Sequence, residues 1–99
     1  MNIKLEEVYT LKLNSGEELI AKVKGIEGNE LIVAEPVSIA PGPQGMGLVP
    51  SMFTADPKGE YRLNTNSISI YAVTDASVKN KYVEATTGIK LPEKKLVLG

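Results

Sequence analysis

The sequence predicts a mainly β protein: one small, strongly bent five-stranded antiparallel sheet, or open barrel, followed by a C-terminal helix. Three observations carry that expectation. Apolar residues recur at every second position in Tyr9, Leu11 and Leu13 and again in Leu19, Ala21 and Val23, the period of a half-buried strand. Turn-forming residues part these runs, Asn14-Ser15-Gly16 first and Gly25 to Asn29 next, so the chain folds back into Leu31-Ile32-Val33-Ala34 as an antiparallel meander. A helical period emerges only after Asp75, where Val78, Tyr82 and Ala85 fall at i, i+4 and i+7.

The 99 residues make one domain whose core closes with little to spare. One Phe, four Tyr and no Trp leave few large side chains to fill it, so self-association would help by burying more of the chain. With 11 basic and 12 acidic residues the net charge is −1, and any attraction for nucleic acid has to come from a local surface. There is no Cys and no His, hence no disulfide framework and no thiolate or imidazole chemistry. No Gly-x-Ser-x-Gly, phosphate-cradling loop or metal-ligand spacing is present, and Gly42 to Gly45 is too short and proline-flanked to hold phosphate. The expectation is a protein without catalytic residues, metal or cofactor. The N-terminus lacks a signal-peptide core, and no run approaches the roughly 20 apolar residues of a membrane helix. A soluble, cytoplasmic product with no membrane partner is expected.

Met1–Glu7 is too short for a stable helix, so either the first strand begins near Ile3 or the leader is loose. A second strand from Glu17 to Ile26 would run roughly 33 Å and must curve to wrap so small a core. Its Lys22 and Lys24, with Lys12 opposite, form either a phosphate-facing basic stripe or an ordinary solvated face balanced by Glu17 and Glu18. From 31 to 55 the chain reads as an extended hairpin turning at Pro41–Gly45, with Pro36 and Pro50 at edges or bulges because neither donates a ladder hydrogen bond. Its apolar residues exceed what one small sheet hides. They mark either a subunit contact, with Leu48, Met52 and Phe53 joined by Ile68 and Ile70 of the last strand, or a cap on the monomer's own barrel.

Asp56-Pro57-Lys58-Gly59 has the residues of a type I turn. A strand Glu60–Asn64 follows, with Tyr61 and Leu63 on one face, then a break at Thr65-Asn66-Ser67 and a last strand Ile68–Val73. The helix spans 75–88, with Asp75 as N-cap and Gly88 as C-cap, and is placed to cover the open side of the barrel. The tail, 89–99, adds an edge strand to its own or a neighbouring subunit, or is disordered.

Leu13-Asn14-Ser15-Gly16 with Leu19, and the apolar strand Leu31-Ile32-Val33, resemble the first motif of the Sm and Sm-like proteins. Those are small, bent five-stranded sheets, SH3-like in outline, that assemble into nucleic-acid-binding rings. A second stretch, Glu60 to Val73, resembles that family's second motif. Together the likeness covers 8–73, the barrel core, and is nearest to divergent Sm-like members carried by tailed phages of marine cyanobacteria. It implies a homo-oligomeric ring binding single-stranded RNA or DNA, with a role in RNA or DNA processing, in the host cytoplasm for a phage-encoded copy. Aligning the final strand on Ile68 puts Asn64-Thr65 where many members have Arg-Gly, and Thr65-Asn66 where the bacterial host-factor chaperone has Lys-His. The implied contact residues are therefore Asn29, Asn64, Thr65 and Asn66, with Arg62 nearby and Lys22 and Lys24 on the second strand. Amides there suit the edges of unstacked bases; equally, Asn and Thr occupy turns because they bond their own backbone. Tyr9, Tyr61 and Tyr71 are candidate stacking faces. The alternative function is a non-catalytic β-barrel interaction or assembly module that binds no nucleic acid.

Overall fold

The computed structural model describes residues 1–43 and 45–87. Strands β1 (Val8–Leu13), β2 (Glu18–Glu27), β3 (Glu30–Gly42), β4 (Gly45–Pro50), β5 (Glu60–Asn64) and β6 (Ile68–Val73) precede one helix, α1 (Ala76–Thr87). All pairings are antiparallel, in the order β4-β3-β2-β1-β6, with β5 also on β3. The long β3 divides its second edge: its first half, 30–34, takes β5 and its second half, 37–42, takes β4. Strands β5 and β6 are joined by a 3-10 turn, Thr65–Ser67, without pairing to each other, so the sheet is bent but not closed. The sequence-based count of five strands becomes six because the 31–55 hairpin contributes β4 as a strand of its own.

Strand alternation sorts the side chains into two cores. Tyr9, Leu11, Leu19, Ala21, Val23, Leu31 and Val33 form the first, onto which Tyr61 and Leu63 of β5 and Ile68 and Tyr71 of β6 pack from the two ends of the sheet. The intervening positions put Val8, Ile20 and Val37 on the other face, where Tyr82 of α1 covers them. Bending is achieved by two register shifts between β2 and β3. One sets two residues of β3, Glu35 and Pro36, against the single residue Ala21 of β2, and the other adds Lys24 to β2. Glu35 sits at φ 48°, the left-handed residue such an inserted step requires. Pro36 thus falls at a bulge and Pro50 at the end of the edge strand β4, where the missing N–H is harmless.

Two expectations need correction. The first strand does not begin near Ile3; the leader is instead tied down as a strap. Asn2 N–H donates to the Tyr71 hydroxyl (2.9 Å), Lys4 N–H to the Tyr9 hydroxyl (2.9 Å) and Glu6 N–H to Val23 O (2.7 Å), while Ile3 packs on the first core. Nor does α1 cover the open side of the barrel: Val78 and Tyr82 join the second core, on the opposite face. The cap itself is as read, since the Asp75 carboxylate accepts from Ser77 N–H (3.1 Å) and Val78 N–H (3.3 Å). The proposed C-cap Gly88 and the tail 89–99 lie outside the described residues.

Candidate nucleic-acid interface at three clustered turns

Gly16 (φ 97°) and Gly28 (φ 58°) turn the β1–β2 and β2–β3 hairpins through left-handed backbone that a side chain would resist. Because β1 pairs with β6 and β3 with β5, the pairing carries both hairpin turns to the β5–β6 junction. The contacts are direct. Asn14 N–H donates to Ser67 O (2.7 Å) and its amide Nδ2 to Asn66 O (2.8 Å). On the other side, Thr65 N–H (2.8 Å) and its Oγ1 (3.1 Å) both donate to Asn29 O. Thr65–Ser67 is therefore the hub that joins two hairpin turns, its bonded partners lying 52 and 36 residues earlier in the chain.

The hydrogen bonds distinguish structural amides from uncommitted ones. Asn64 Oδ1 accepts Asn66 N–H (2.8 Å), capping the 3-10 turn, and Ser67 Oγ donates to Asn64 O (2.7 Å). Asn14, Asn64 and Thr65 thus spend their side chains on the turns themselves. Asn29 and Asn66 are exposed, and neither amide group makes a side-chain hydrogen bond among the described residues. Asn14 was not singled out by sequence reasoning beyond its turn; its contact with Asn66 spans 52 residues, and no local pattern announces it.

The cations lie differently. Arg62 Nη1 donates to Glu27 Oε1 (2.9 Å) and Glu30 Oε1 (3.2 Å), and these hydrogen bonds, first to Glu27 and then to Glu30, hold its pKa above the ordinary value. All three side chains are well exposed, so the cluster adds little stability, but it leaves that corner carrying one net negative charge. Lys24 pairs with Glu6 (3.2 Å), and Lys22 lies beside Tyr82 on the helix-bearing face, so the lysines form no stripe at the turns. The three tyrosines do not present stacking faces. Tyr9 is buried, Tyr61 donates to Asp56 O (2.7 Å), Tyr71 accepts from Asn2, and all pack on the first core.

Of the candidate interface residues, Ile68 is half-buried against the first core and Leu48 packs against the second. Met52, Phe53 and Ile70 remain well exposed, Phe53 most of all at 75%. No group of three or more His, Cys, Asp or Glu among the described residues is disposed to hold a metal ion. No helix among them is long and apolar enough to cross a membrane.

Fold and turns together define a class: a small mainly β protein with an open, bent antiparallel sheet and one C-terminal helix. Neither a protein-family model nor a curated protein matches the sequence.

Proposed function

We propose that the chain is a non-catalytic Sm-like module that joins copies of itself through its free strand edges, in a ring, and binds single-stranded nucleic acid, RNA foremost, at the clustered turns. The observation that carries this reading is the convergence of Asn14–Gly16, Glu27–Asn29 and Asn64–Ser67, with the amides of Asn29 and Asn66 left free to meet base edges. Such a site recognises through neutral hydrogen bonds rather than phosphate contacts, which fits a role in RNA or DNA processing inside a cell.

The test is fluorescence anisotropy with labelled oligo(U), oligo(A) and single-stranded DNA over a salt series. Few phosphate contacts predict a shallow loss of affinity with salt. Asn29→Ala/Asn66→Ala should bind about tenfold more weakly, roughly 1.4 kcal/mol for the lost hydrogen bonds. Asn64→Ala is the wrong probe because it also uncaps the turn. Flat titrations at high-micromolar protein, or equal affinity of the double variant, would remove the nucleic-acid reading.

One observation favours a second function. Arg62 is matched by two carboxylates, so the turn corner repels phosphate. An interaction module on the same sheet, binding protein and no nucleic acid, is what those flat titrations would leave standing.

A further inference from the structure

A groove of about 440 Å³ lies beside α1 on the helix-bearing face of the sheet. Ile39, Met46, Val73 and Val78 line it, and the carboxylates of Glu18 and Asp75 stand in its wall. Met46 is 67% and Val73 62% exposed, so its apolar walls face water. Asp75 is engaged as the helix cap. The Glu18 carboxylate makes no hydrogen bond or ion pair among the described residues, although Lys12 stands opposite it on β1.

We propose that this groove is the docking site of the chain's own C-terminal segment, 88–99. Charge is the first argument. Of the 11 basic and 12 acidic residues, 8 and 11 fall in 1–87, a net −3, whereas Lys90, Lys94 and Lys95 against Glu93 give 88–99 a net +2. The segment also carries what an apolar groove takes, Leu91, Leu96, Val97 and Leu98, with lysines adjoining to meet Glu18. Reach is the second argument. Thr87 ends α1, nine residues beyond Val78, or about 14 Å of helix, whereas twelve residues of extended chain span up to about 40 Å. Tethering is the third: a short linker supplies an effective concentration in the millimolar range, so a shallow groove of modest intrinsic affinity is filled. The inference stands apart from the nucleic-acid reading, because the groove contains none of the turn residues.

The absence of cysteine makes the test clean. In the full-length chain Gly99→Cys carries a nitroxide label, and amide intensities are read by NMR with the label oxidised and reduced. The amides of Ile39, Ala72 and Val78 should lose most of their intensity, while those of Asn29 and Asn64 keep theirs. Glu18→Lys should weaken the effect, and Lys94→Glu/Lys95→Glu in the same chain should restore it. Uniform or absent broadening overturns the proposal, as does broadening that Glu18→Lys leaves untouched. A mixture of spin-labelled chain with isotope-labelled, label-free chain identifies the donor: broadening there equal to that within one chain would assign the groove to a neighbouring copy and overturn docking in cis.

Discussion

Replacing Tyr82 by phenylalanine deletes one oxygen and tests how the helix is fastened to the bent sheet. The Tyr82 ring is 2% exposed and holds α1 against Val8, Ile20 and Val37. Its hydroxyl accepts Lys22 N–H (3.2 Å) and donates toward Glu35 O (2.9 Å), with Ala34 O at 3.1 Å. These groups flank the bulge where Glu35 takes its left-handed conformation, so one side chain stitches both strands of the bend. Phenylalanine keeps the packing and leaves the Lys22 amide and the Glu35 carbonyl without that partner. An unpaired buried polar group costs about 1–3 kcal/mol, and partial access to water suggests about 2 kcal/mol for the pair. In urea, where a small domain loses about 1–3 kcal/mol per molar, the midpoint should fall by about 1 M. Tyr71→Phe is the control, because among the described residues its hydroxyl meets only the exposed Asn2 N–H; a surface change of that kind shifts stability by about 0.5 kcal/mol or less. Equal midpoints for the two variants would refute the stitching argument. The same hydroxyl sets an alkaline limit. Burial, the larger cause, raises its pKa above the ordinary tyrosine value, so its contribution is fully present below the unfolded pKa of about 10 and is lost as pH climbs toward the folded value. Tyrosinate absorbance should show a phase in which Tyr82 ionises only as the chain unfolds, and Tyr82→Phe should abolish that phase.

Two further predictions concern the helix cap and the glycines of the meander. The Asp75 pKa is lowered first by the Ser77 hydroxyl and then by the Val78 and Ser77 amides, so its support of α1 is present above the unfolded value near 3.9 and is lost as pH falls through the folded one. Helix-specific Cα shifts should therefore decline below about pH 4; Asp75→Asn should remove that acid step, Asp75→Ala should lower helicity at every pH, and an unchanged step in Asp75→Asn would contradict the assignment. The two glycines of the meander should behave differently. Gly16→Ala forces a side chain into φ 97° with no atom in its way, a purely conformational loss of about 1–2 kcal/mol. Gly25→Ala meets only Ile32 at an ordinary 3.5 Å and should leave the urea midpoint near its native value.

Periodicity made the strands legible because burial follows alternation. Leu11, Ala21, Val23 and Leu31 are inaccessible to solvent, and each lies on the apolar phase of its strand. Turn chemistry was equally local. The Asp56–Gly59 turn closes with Gly59 N–H on Asp56 O at 3.1 Å, as Asp-Pro-Lys-Gly suggests. What escaped is non-local. The side to which α1 packs depends on the Tyr82 hydroxyl finding a bulge some 47 residues earlier, and a helical wheel shows only that Tyr82 and Val78 share a face. The candidate site divides in the same way. Residue type places Asn29, Asn64, Thr65 and Asn66 in turns, yet only the pairing of β1 with β6 and of β3 with β5 shows which amides are spent on the backbone. Arg62 next to two carboxylates is a cross-strand fact, since Glu30 faces Asn64 in the β3–β5 register and Glu27 comes from β2.

Low aromatic content suggests a chain that needs copies of itself to complete a core, and the packing argues for a different division of labour. The first core is already sealed within one chain: its seven residues are all at most 6% exposed, with β5, β6 and Ile3 closing around them. What a single chain leaves unmet is backbone. β4, β5 and β6 each have one edge without a strand partner among the described residues, and β6 adds exposed Ile70 and Val73 to that edge. Unpaired edges of this kind are met by strand addition, whose affinity comes from main-chain hydrogen bonds and a few alternate side chains. Under the ring reading, therefore, a neighbour lengthens the sheet and does not finish the core, so a folded monomer should exist at high dilution and assembly should follow concentration. Coincident loss of secondary structure and of oligomer on dilution would mean instead that the core is shared between chains, and the sealed packing around Leu11 and Leu31 would then have no energetic meaning.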